Sequence, residues 1–304
     1  MKIVALAGGV GGARLAQGLA QCEVDLTVIV NTGDDFTHLG LRICPDLDTV
    51  TYTLAGIANR EQGWGVADET TAMMDQLRLL GGEDWFLLGD RDLALHLIRS
   101  QRLAAGERLS GVTASIAARL GIGARILPMT DDPVATIVQT PGGEIAFQDW
   151  FVRQRAAPSV TGFRFAGIET ARPAPVVTEA LQAADAIILC PSNPFISLDP
   201  ILAVPGLREA IPEVPVIAVS PIIGGQAVKG PAAQLMRDLG HEVSPAGIAA
   251  HYAGLLTAMV IDDADAELAA RLPVPAKVTQ TLMKSDADRA AVARACLEMA
   301  SWTS

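Results

Sequence analysis

Residues 2–20, KIVALAGGVGGARLAQGLA, join an apolar run to a glycine-rich turn and then to a stretch rich in alanine and leucine. A continuous apolar run of this kind is typical of a strand buried on both faces of a parallel sheet. The turn from Gly8 to Gly12 follows at once, and the spacing predicts a helix over residues 13–21. The stretch therefore predicts the first strand, turn and helix of an α/β fold.

Four more apolar runs, each followed by small or polar turn residues, repeat this pattern at 26–30, 125–127, 186–190 and 216–219. Helix-like stretches rich in Ala, Leu and Arg occur at 69–80, 92–104, 109–120, 178–184 and 230–239. Strands that alternate with helices predict a Rossmann-like, doubly wound, mostly parallel sheet with helices on both faces. Ligands of such sheets bind beyond the carboxyl ends of the strands, where these turn residues lie.

The 304 residues are predicted to form one domain, 1–304, because no flexible linker interrupts them. Residues 141–165 depart from the α/β pattern and predict a hairpin insertion or small subdomain at about 141–170. The part from about 247 to 304 is predicted to be mostly helical, with an apolar helix over 247–261.

The composition excludes several classes of protein. Half of the residues are hydrophobic, which excludes a disordered chain, and the net charge of −11 argues against general binding of nucleic acid or anionic membranes. The four cysteines are far apart in the sequence, which argues against a zinc ribbon or a secreted disulfide framework. Because no signal-peptide pattern and no apolar run near ~18 residues is present, we expect a cytoplasmic protein.

The glycine-rich turn is a candidate phosphate-binding segment. Glycines between a strand and a helix let backbone N–H groups approach an anion at the helix N-terminus. The dinucleotide pattern G-x-G-x-x-G fails because Arg14 occupies the third glycine position, and no G-K-[ST] of a P-loop follows. The alternative is a tight turn without a ligand. The candidate binding residues here are Gly8, Gly9, Gly11, Gly12 and Arg14.

A second candidate segment is acidic and follows the second predicted strand. Clustered carboxylates at a strand end suit a hard cation such as Mg²⁺, which bridges phosphates. The alternative is that these residues cap turns and a helix. The cluster consists of Asp34, Asp35, Asp46 and Asp48, with Asn31 and Thr32 beside them.

Three further segments contribute polar groups that could hold a phosphate or orient a substrate. The segment at 88–92, LGDRD, places Arg91 between two carboxylates, where it could form a salt bridge or contact a phosphate. The chain offers neither a G-x-S-x-G elbow nor a cysteine with a local partner motif. Glycine turns, carboxylates and cations are the groups used in phosphoryl or nucleotidyl transfer. The other binding candidates are Ser192, Asn193, Ser220, Gly224, Gly225 and Lys229.

These motifs together resemble the 2-phospho-L-lactate transferase family of coenzyme F-420 biosynthesis, over nearly the whole chain. The matching segments are GGVGGARLAQGL (8–19), VIVNTGDD (28–35), PDLDTVTYTLAG (45–56), WGV (64–66), LGDRDLA (88–94), ILPMTDDPV (126–134), FQDWFV (147–152), PSNPFISLDPIL (191–202), AVSPIIGGQAVKGPA (218–232) and TLM (281–283). The resemblance implies transfer of a phospho-acid from a guanylylated donor to the ribityl hydroxyl of 7,8-didemethyl-8-hydroxy-5-deazariboflavin. It also implies release of GMP, a requirement for Mg²⁺, and a homodimer.

The resemblance also assigns residues. Asp48 matches the acid that the family uses at the deazaflavin, while Asp34 and Asp46 are candidates for binding the metal or orienting the hydroxyl. The family's other deazaflavin contact is a basic residue at the position of Leu87, and Arg91 is an alternative basic group nearby. We therefore expect Asp34, Asp46, Asp48 and Arg91 to be catalytic and the three aspartates to bind Mg²⁺.

Two alternatives remain open at this point. Nucleotide-sugar-binding regulatory proteins of the same superfamily share the glycine turn but lack a clear catalytic role, and deazaflavin binding would separate the two functions. A dinucleotide-dependent oxidoreductase is disfavoured by the failed G-x-G-x-x-G pattern. The acid of the donor, whether lactate, enolpyruvate or glycerate, stays open.

Overall fold

The computed structural model describes residues 1–302 of the chain. Its strands are β1 (Lys2–Ala7), β2 (Asp25–Val30), β3 (Phe36–His38), β4 (Leu41–Ile43), β5 (Arg125–Pro128), β6 (Ala135–Thr140), β7 (Gly143–Ala146), β8 (Gly162–Ala166), β9 (Ala186–Leu189), β10 (Val216–Val219), β11 (Ile222–Ile223), β12 (Gln226–Ala227), β13 (Ala258–Ile261) and β14 (Ala276–Val278). Its α-helices are α1 (Gly9–Ala20), α2 (Pro45–Leu54), α3 (Ala72–Leu79), α4 (Asp90–Ala104), α5 (Leu109–Arg119), α6 (Val177–Gln182), α7 (Asp199–Ala203), α8 (Ala232–Asp238), α9 (Pro245–His251) and α10 (Asp286–Trp302). Shorter helical turns occur at Asp149–Arg153, Ile168–Thr170, Pro194–Leu198 and Asp263–Arg271.

Within residues 1–302, seven strands form one sheet in the order β14-β13-β10-β9-β1-β2-β5. Every neighbouring pair in this sheet is parallel, with Lys2 opposite Asp25 and Ile3 opposite Ala186. The chain runs from β1 outward through β2 to β5, and then returns to β9 on the other side of β1. The strand order therefore reverses between β1 and β9, which is where α/β sheets of this kind bind ligands.

The predicted doubly wound sheet is confirmed, and all five predicted strands belong to it. Alternate residues of β1 explain why the run is apolar throughout. Val4 and Leu6 pack into one hydrophobic cluster, while Ile3, Ala5 and Ala7 pack into a second cluster on the opposite face. Both faces of the strand are thus buried under helices. No helix among residues 1–302 is long and apolar enough to cross a membrane.

An antiparallel sheet of three strands, β7-β6-β8, lies outside the parallel sheet. Strands β7 and β8 fall within the hairpin predicted at about 141–170, and β6, which pairs with both, begins earlier at Ala135. The alternating burial of β6 is typical of a strand with one face on the core.

The expectation that residues 247–304 are mostly helical is wrong for two segments. Strands β13 and β14 extend the parallel sheet, so the apolar helix predicted over 247–261 is instead the short helix α9 followed by β13. A short apolar run such as AMVI has the same pattern in a buried strand and in a buried helix, so periodicity cannot separate them. Only α10 forms a long helix in this part.

Candidate active site

The turn after β1 is built directly against the loop after β9. Helix α1 begins at Gly9, so the glycine-rich segment forms the first turn of the helix, whereas the sequence predicted a start at residue 13. Ser192 joins the two loops, because its hydroxyl accepts a hydrogen bond from the Gly8 amide at 3.1 Å and donates to the Gly8 carbonyl at 2.7 Å. Two segments 184 residues apart in the sequence therefore meet at the reversal of strand order.

Asp46, in the first turn of α2, lies against this glycine turn. Its carboxylate accepts hydrogen bonds from the Gly9 amide at 2.7 Å and from Asn31 Nδ2 at 2.9 Å. A Cβ added to Gly8 would lie 2.6 Å from Asp46 Oδ2, so only glycine allows this approach. Burial raises the pKa of Asp46 to about 6, although the hydrogen bonds from Asn31 and Gly9 act in the opposite direction.

Asp34 is the second buried carboxylate at this end of the sheet. Burial, followed by the neighbouring charge of Asp46, raises the pKa of Asp34 well above its usual range. Its Oδ1 atom is buried without a hydrogen-bond partner among the described residues, as is the hydroxyl of Thr32. The loop is held from the insertion side by Gln148, whose Nε2 donates to the Asp34 carbonyl at 3.1 Å. Gln148 belongs to the FQDWFV segment (147–152), but nothing in that motif indicated this contact with Asp34.

Asp34 and Asp46 fit a divalent cation. Both carboxylates are buried, they repel one another, and Asp34 offers an oxygen that no protein donor satisfies. Oxygen ligands of this kind are those that Mg²⁺ prefers. The fold therefore brings together Asp34 and Asp46, two of the three aspartates predicted as metal ligands, while Asp48 lies in a different environment.

Asp48 has a different environment from the other two aspartates. Both of its oxygens accept hydrogen bonds from Arg99 of α4, and the Nη1–Oδ2 distance is 3.1 Å. His96 Nδ1 lies 3.6 Å from Asp48 Oδ2, and its Nε2 lies 3.2 Å from Asp92 Oδ1. The hydroxyl of Tyr52 donates to Asp92. Asp48 is thus fixed within a buried network of polar side chains between α2 and α4.

This network limits what Asp48 can bind. Among residues 1–302, Asp48, Asp92 and His96 form a group whose ligand atoms lie within 4.8 Å of one another. The Arg99 guanidinium already neutralises Asp48 through both oxygens, so a cation would have to displace it. Arg99 was missed in the sequence because it resembles an ordinary arginine on a helix, although its i+3 spacing from His96 places both on one face.

Arg91 does not join the carboxylate cluster. Its side chain is exposed and donates to the carbonyl of Ala67 at 3.2 Å. The carboxylate of Asp90 accepts hydrogen bonds from the amides of Ala72 and Met73, both at 3.0 Å, at the start of α3. The LGDRD segment therefore connects two helices, and a catalytic role for Arg91 stays a prediction.

Leu87 lies in the loop before α4 with 44% of its surface exposed. A leucine side chain supplies no polar atom at this position, where the resemblance described above implies a basic residue in the family. Two residues earlier, the ring of Trp85 is covered by the guanidinium of Arg153, at 4.5 Å from the ring centroid. A deazaflavin contact at Leu87 can only be apolar.

The predicted binding residues of the segments after β9 and β10 lie in local turns and loops. Asn193 Oδ1 accepts from the Phe195 amide at 3.1 Å, while its Nδ2 is buried without a partner among the described residues. Ser220 forms a local turn with Ile222, in which its hydroxyl accepts from the Ile222 amide at 3.1 Å. Gly224 and Gly225 form the turn of the β11–β12 hairpin, and both have positive φ. The Lys229 ammonium donates to the carbonyl of Gln62.

The chain is similar in sequence to several transferases over nearly its whole length. The chain is 47% identical to a phosphoenolpyruvate transferase of Streptomyces griseus subsp. griseus, with 99% of this chain and 98% of the relative covered. It is 46% identical to a phosphoenolpyruvate transferase of Thermobifida fusca, over 99% and 98%. It is 40% identical to a 2-phospho-L-lactate transferase of Methanococcoides burtonii, over 93% and 94%.

A solved structure shares the fold. The UPF0052-family protein of Bacillus halodurans superposes with a TM-score of 0.64 over 97% of this chain and 99% of that chain, at 15% identity. At this identity the likeness concerns the fold alone. The family model described as 2-phospho-L-lactate transferase CofD matches residues 3–299. Together with the relatives above, this match shows that the chain belongs to the CofD family of phospho-lactate and phosphoenolpyruvate transferases.

Proposed function

We propose that the chain transfers a phosphorylated three-carbon acid from a guanylylated donor to the ribityl hydroxyl of 7,8-didemethyl-8-hydroxy-5-deazariboflavin, and that GMP is released. The observation that supports this most is the 47% identity to a phosphoenolpyruvate transferase over 99% of the chain. Because the identity to 2-phospho-L-lactate transferases is lower, at 40%, we propose the enolpyruvoyl donor ahead of the lactyl donor.

The proposed reaction is a direct displacement at phosphorus. The ribityl oxygen forms a bond to the phosphorus that bears the acid, the bond from that phosphorus to the bridging oxygen breaks, and GMP leaves with the bridging oxygen. The hydroxyl proton passes to a carboxylate or water at the site. No protein nucleophile is required, so catalysis depends on positioning and on neutralising charge.

The chain's own residues have separate tasks in this proposal. Asp48, immobilised by Arg99, orients the deazaflavin, whereas the turn at Gly8 and Gly9 approaches the diphosphate. Asp34 and Asp46 are the residues that would hold Mg²⁺, which would offset negative charge on the diphosphate when bound. The Asn193 amide, which is buried and lacks a partner in residues 1–302, is available for a substrate oxygen.

The homodimer is also a proposal. Leu97 and Ile98 on α4 expose 51% and 50% of their surface, and Leu79 and Leu80 expose 77% and 82%. Apolar side chains that are this exposed support an interface, because contact with a second copy would remove them from water. Sedimentation of the purified protein tests this proposal.

The test of the transferase is a defined assay. Purified protein is incubated with the deazaflavin, Mg²⁺ and either the enolpyruvoyl or the lactyl donor, and GMP and the deazaflavin product are quantified by mass spectrometry. We expect one GMP for each product formed and faster turnover with the enolpyruvoyl donor. Binding of a nucleotide sugar without any binding of the deazaflavin would instead favour the regulatory alternative.

A further inference from the structure

A small open depression lies beside α1, between the end of α2, the loop after it and α10. Three of its lining residues are arginines, namely Arg14 of α1, Arg60 of the loop and Arg289 of α10. Lys229 lies beside them, since a Cβ on the lining residue Gly63 would be 3.0 Å from Lys229 Nζ. Four cations therefore gather at one place on a chain whose net charge is −11.

These cations have too few counter-ions. In the described part of the chain, Arg14 forms no hydrogen bond or ion pair, and Lys229 donates to a backbone carbonyl rather than a carboxylate. Arg60 and Arg289 share a single carboxylate, that of Asp286, at 3.1 Å each. By contrast, Arg164, an exposed arginine of the small sheet, has Glu144 to itself. The pocket is thus deficient in negative charge.

Arg289 shows the deficit most clearly. Its side chain is only 6% exposed, and its Nε–H is buried without an acceptor among residues 1–302. Burial, together with the charges of Arg14 and Arg60, lowers the pKa of Arg289 despite the presence of Asp286. Burial and the charge of Arg14 also lower the pKa of Lys229. A buried donor without an acceptor is unfavourable, so a site of this kind favours an anionic ligand that supplies the acceptor.

The position of the pocket connects it to the proposed reaction. Val10 lines the pocket, and it follows Gly9, whose amide binds Asp46. An anion in the pocket would therefore lie next to the turn that approaches the two buried aspartates. The overall negative charge of the chain disfavours a polyanion such as a nucleic acid as the ligand.

We propose that this pocket binds the phosphate of the donor's guanosine moiety, and that Arg289 and Arg60 are donor-binding residues together with Arg14 and Lys229. This inference rests on the proposed function and adds to it the site of the leaving GMP. The charges match: a phosphate that leaves as GMP gains negative charge, and guanidinium groups bind it through charge-assisted hydrogen bonds.

The experiment is calorimetric titration with GDP, without acceptor, of the wild type and four arginine-to-glutamine variants, at Arg289, Arg14, Arg60 and the control position Arg164. We expect Arg289→Gln and Arg14→Gln each to weaken GDP binding at least tenfold. The matched control Arg164→Gln should leave it unchanged. All proteins are first shown to melt within a few degrees of the wild type. If the melting temperature of Arg289→Gln is much lower than that of the wild type, the GDP affinities of the Arg14→Gln and Arg60→Gln variants, whose side chains are more exposed, test the proposal.

The outcomes separate this inference from the function on which it rests. A GDP affinity within twofold of wild type in Arg289→Gln, Arg14→Gln and Arg60→Gln overturns the inference, even if transfer is observed. Loss of GDP binding in these variants, with no deazaflavin binding by the wild type, supports the pocket but contradicts the transferase. Inorganic phosphate should compete with GDP. If it binds through Arg289 without competing, the pocket is a site for free phosphate and the donor assignment is overturned.

Discussion

The ion pair of Asp48 and Arg99 has consequences for how Asp48 can be tested. Both side chains are buried, with side-chain exposures of 7% and 4%. We expect Asp48→Ala to lower the free energy of unfolding by about 3–5 kcal/mol, because it leaves the Arg99 guanidinium buried without its partner. Denaturant unfolding followed by circular dichroism measures this loss. Loss of transfer in Asp48→Ala alone would therefore not separate catalysis from folding.

A double variant separates them. Replacing a buried ion pair with apolar side chains of similar volume is often neutral for stability. We expect Asp48→Leu combined with Arg99→Met to recover most of the stability lost in Asp48→Ala while transfer stays absent. Normal transfer by the stable double variant would show that neither side chain contacts the deazaflavin.

At Asp34, the structure predicts a link between cation binding and stability. Folding raises the pKa of Asp34 above its value in the unfolded chain. At neutral pH the carboxylate is therefore ionised more favourably in the unfolded chain than in the folded one, and this difference lowers the free energy of unfolding. Without added cation, we expect Asp34→Asn to be more stable than the wild type by about 1 kcal/mol or more. This difference should close as the pH falls below the ordinary carboxyl range, where Asp34 is protonated in both states.

Mg²⁺ should reverse the order. A cation that binds only the folded chain stabilises it by mass action, so the wild type should gain melting temperature with Mg²⁺ and Asp34→Asn should gain less. Differential scanning calorimetry, with Mg²⁺ and with a chelator, measures this gain in melting temperature for the wild type and for Asp34→Asn. An equal gain for the two proteins would mean that Asp34 is not a metal ligand.

Among the elements, helix α4 depends on an acid from another segment. Its N-cap residue is Gly89, which has no side chain, and Glu69 accepts the amides of Arg91 at 2.6 Å and Asp92 at 3.1 Å instead. We expect Glu69→Ala to cost about 0.5–2 kcal/mol, as for loss of an N-cap. Because α4 also presents His96 and Arg99 to Asp48, the Michaelis constant for the deazaflavin should rise.

Asp75→Ala is the control for this prediction. Asp75 is an exposed acid in the first turn of α3 that pairs only with Arg78 at its surface, so its loss should cost less than about 0.5 kcal/mol. Hydrogen exchange of the first backbone amides of α4 tests whether the loss of stability in Glu69→Ala arises at the N-terminus of this helix. Unchanged exchange there in Glu69→Ala would contradict the capping role.

The elements also show what sequence patterns can and cannot predict. The five apolar runs predicted five of the seven strands of the parallel sheet, because burial on both faces leaves an unbroken apolar pattern. The segments at 258–261 and 276–278 escaped because an apolar run of four residues, or a half-buried run of three, has no distinctive period. The LGDRD motif suggested a catalytic role for Arg91, whereas in the structure this segment begins α4. The sequence did not indicate this capping contact, because the capping acid, Glu69, lies about twenty positions earlier in the chain.

For the whole molecule, the site residues in the turns after strands and in the first turn of α2 were predictable, whereas Arg99 of α4 and Arg289 of α10 were not. Gly8, Asn31 and Ser192 come together because parallel strands deliver their loops to one edge of the sheet. Arg99 and Arg289 reach the site from helices α4 and α10, and their positions depend on how these helices pack. Packing of this kind follows from tertiary shape, which a single sequence does not reveal.

The packing of α10 on α1 joins the two ends of the chain and positions Arg289. A Cβ on Gly18 would lie 2.1 Å from the Arg289 carbonyl, so α1 and α10 can approach this closely only with glycine there. We expect Gly18→Ala to cost about 1–3 kcal/mol by overpacking and to weaken GDP binding, because it displaces the backbone of Arg289. Gly111→Ala in α5 is the matched control, since nothing lies within 4 Å of its Cβ and alanine favours a helix. Equal stability and equal GDP affinity in the two variants would show that the contact between α1 and α10 does not position the pocket.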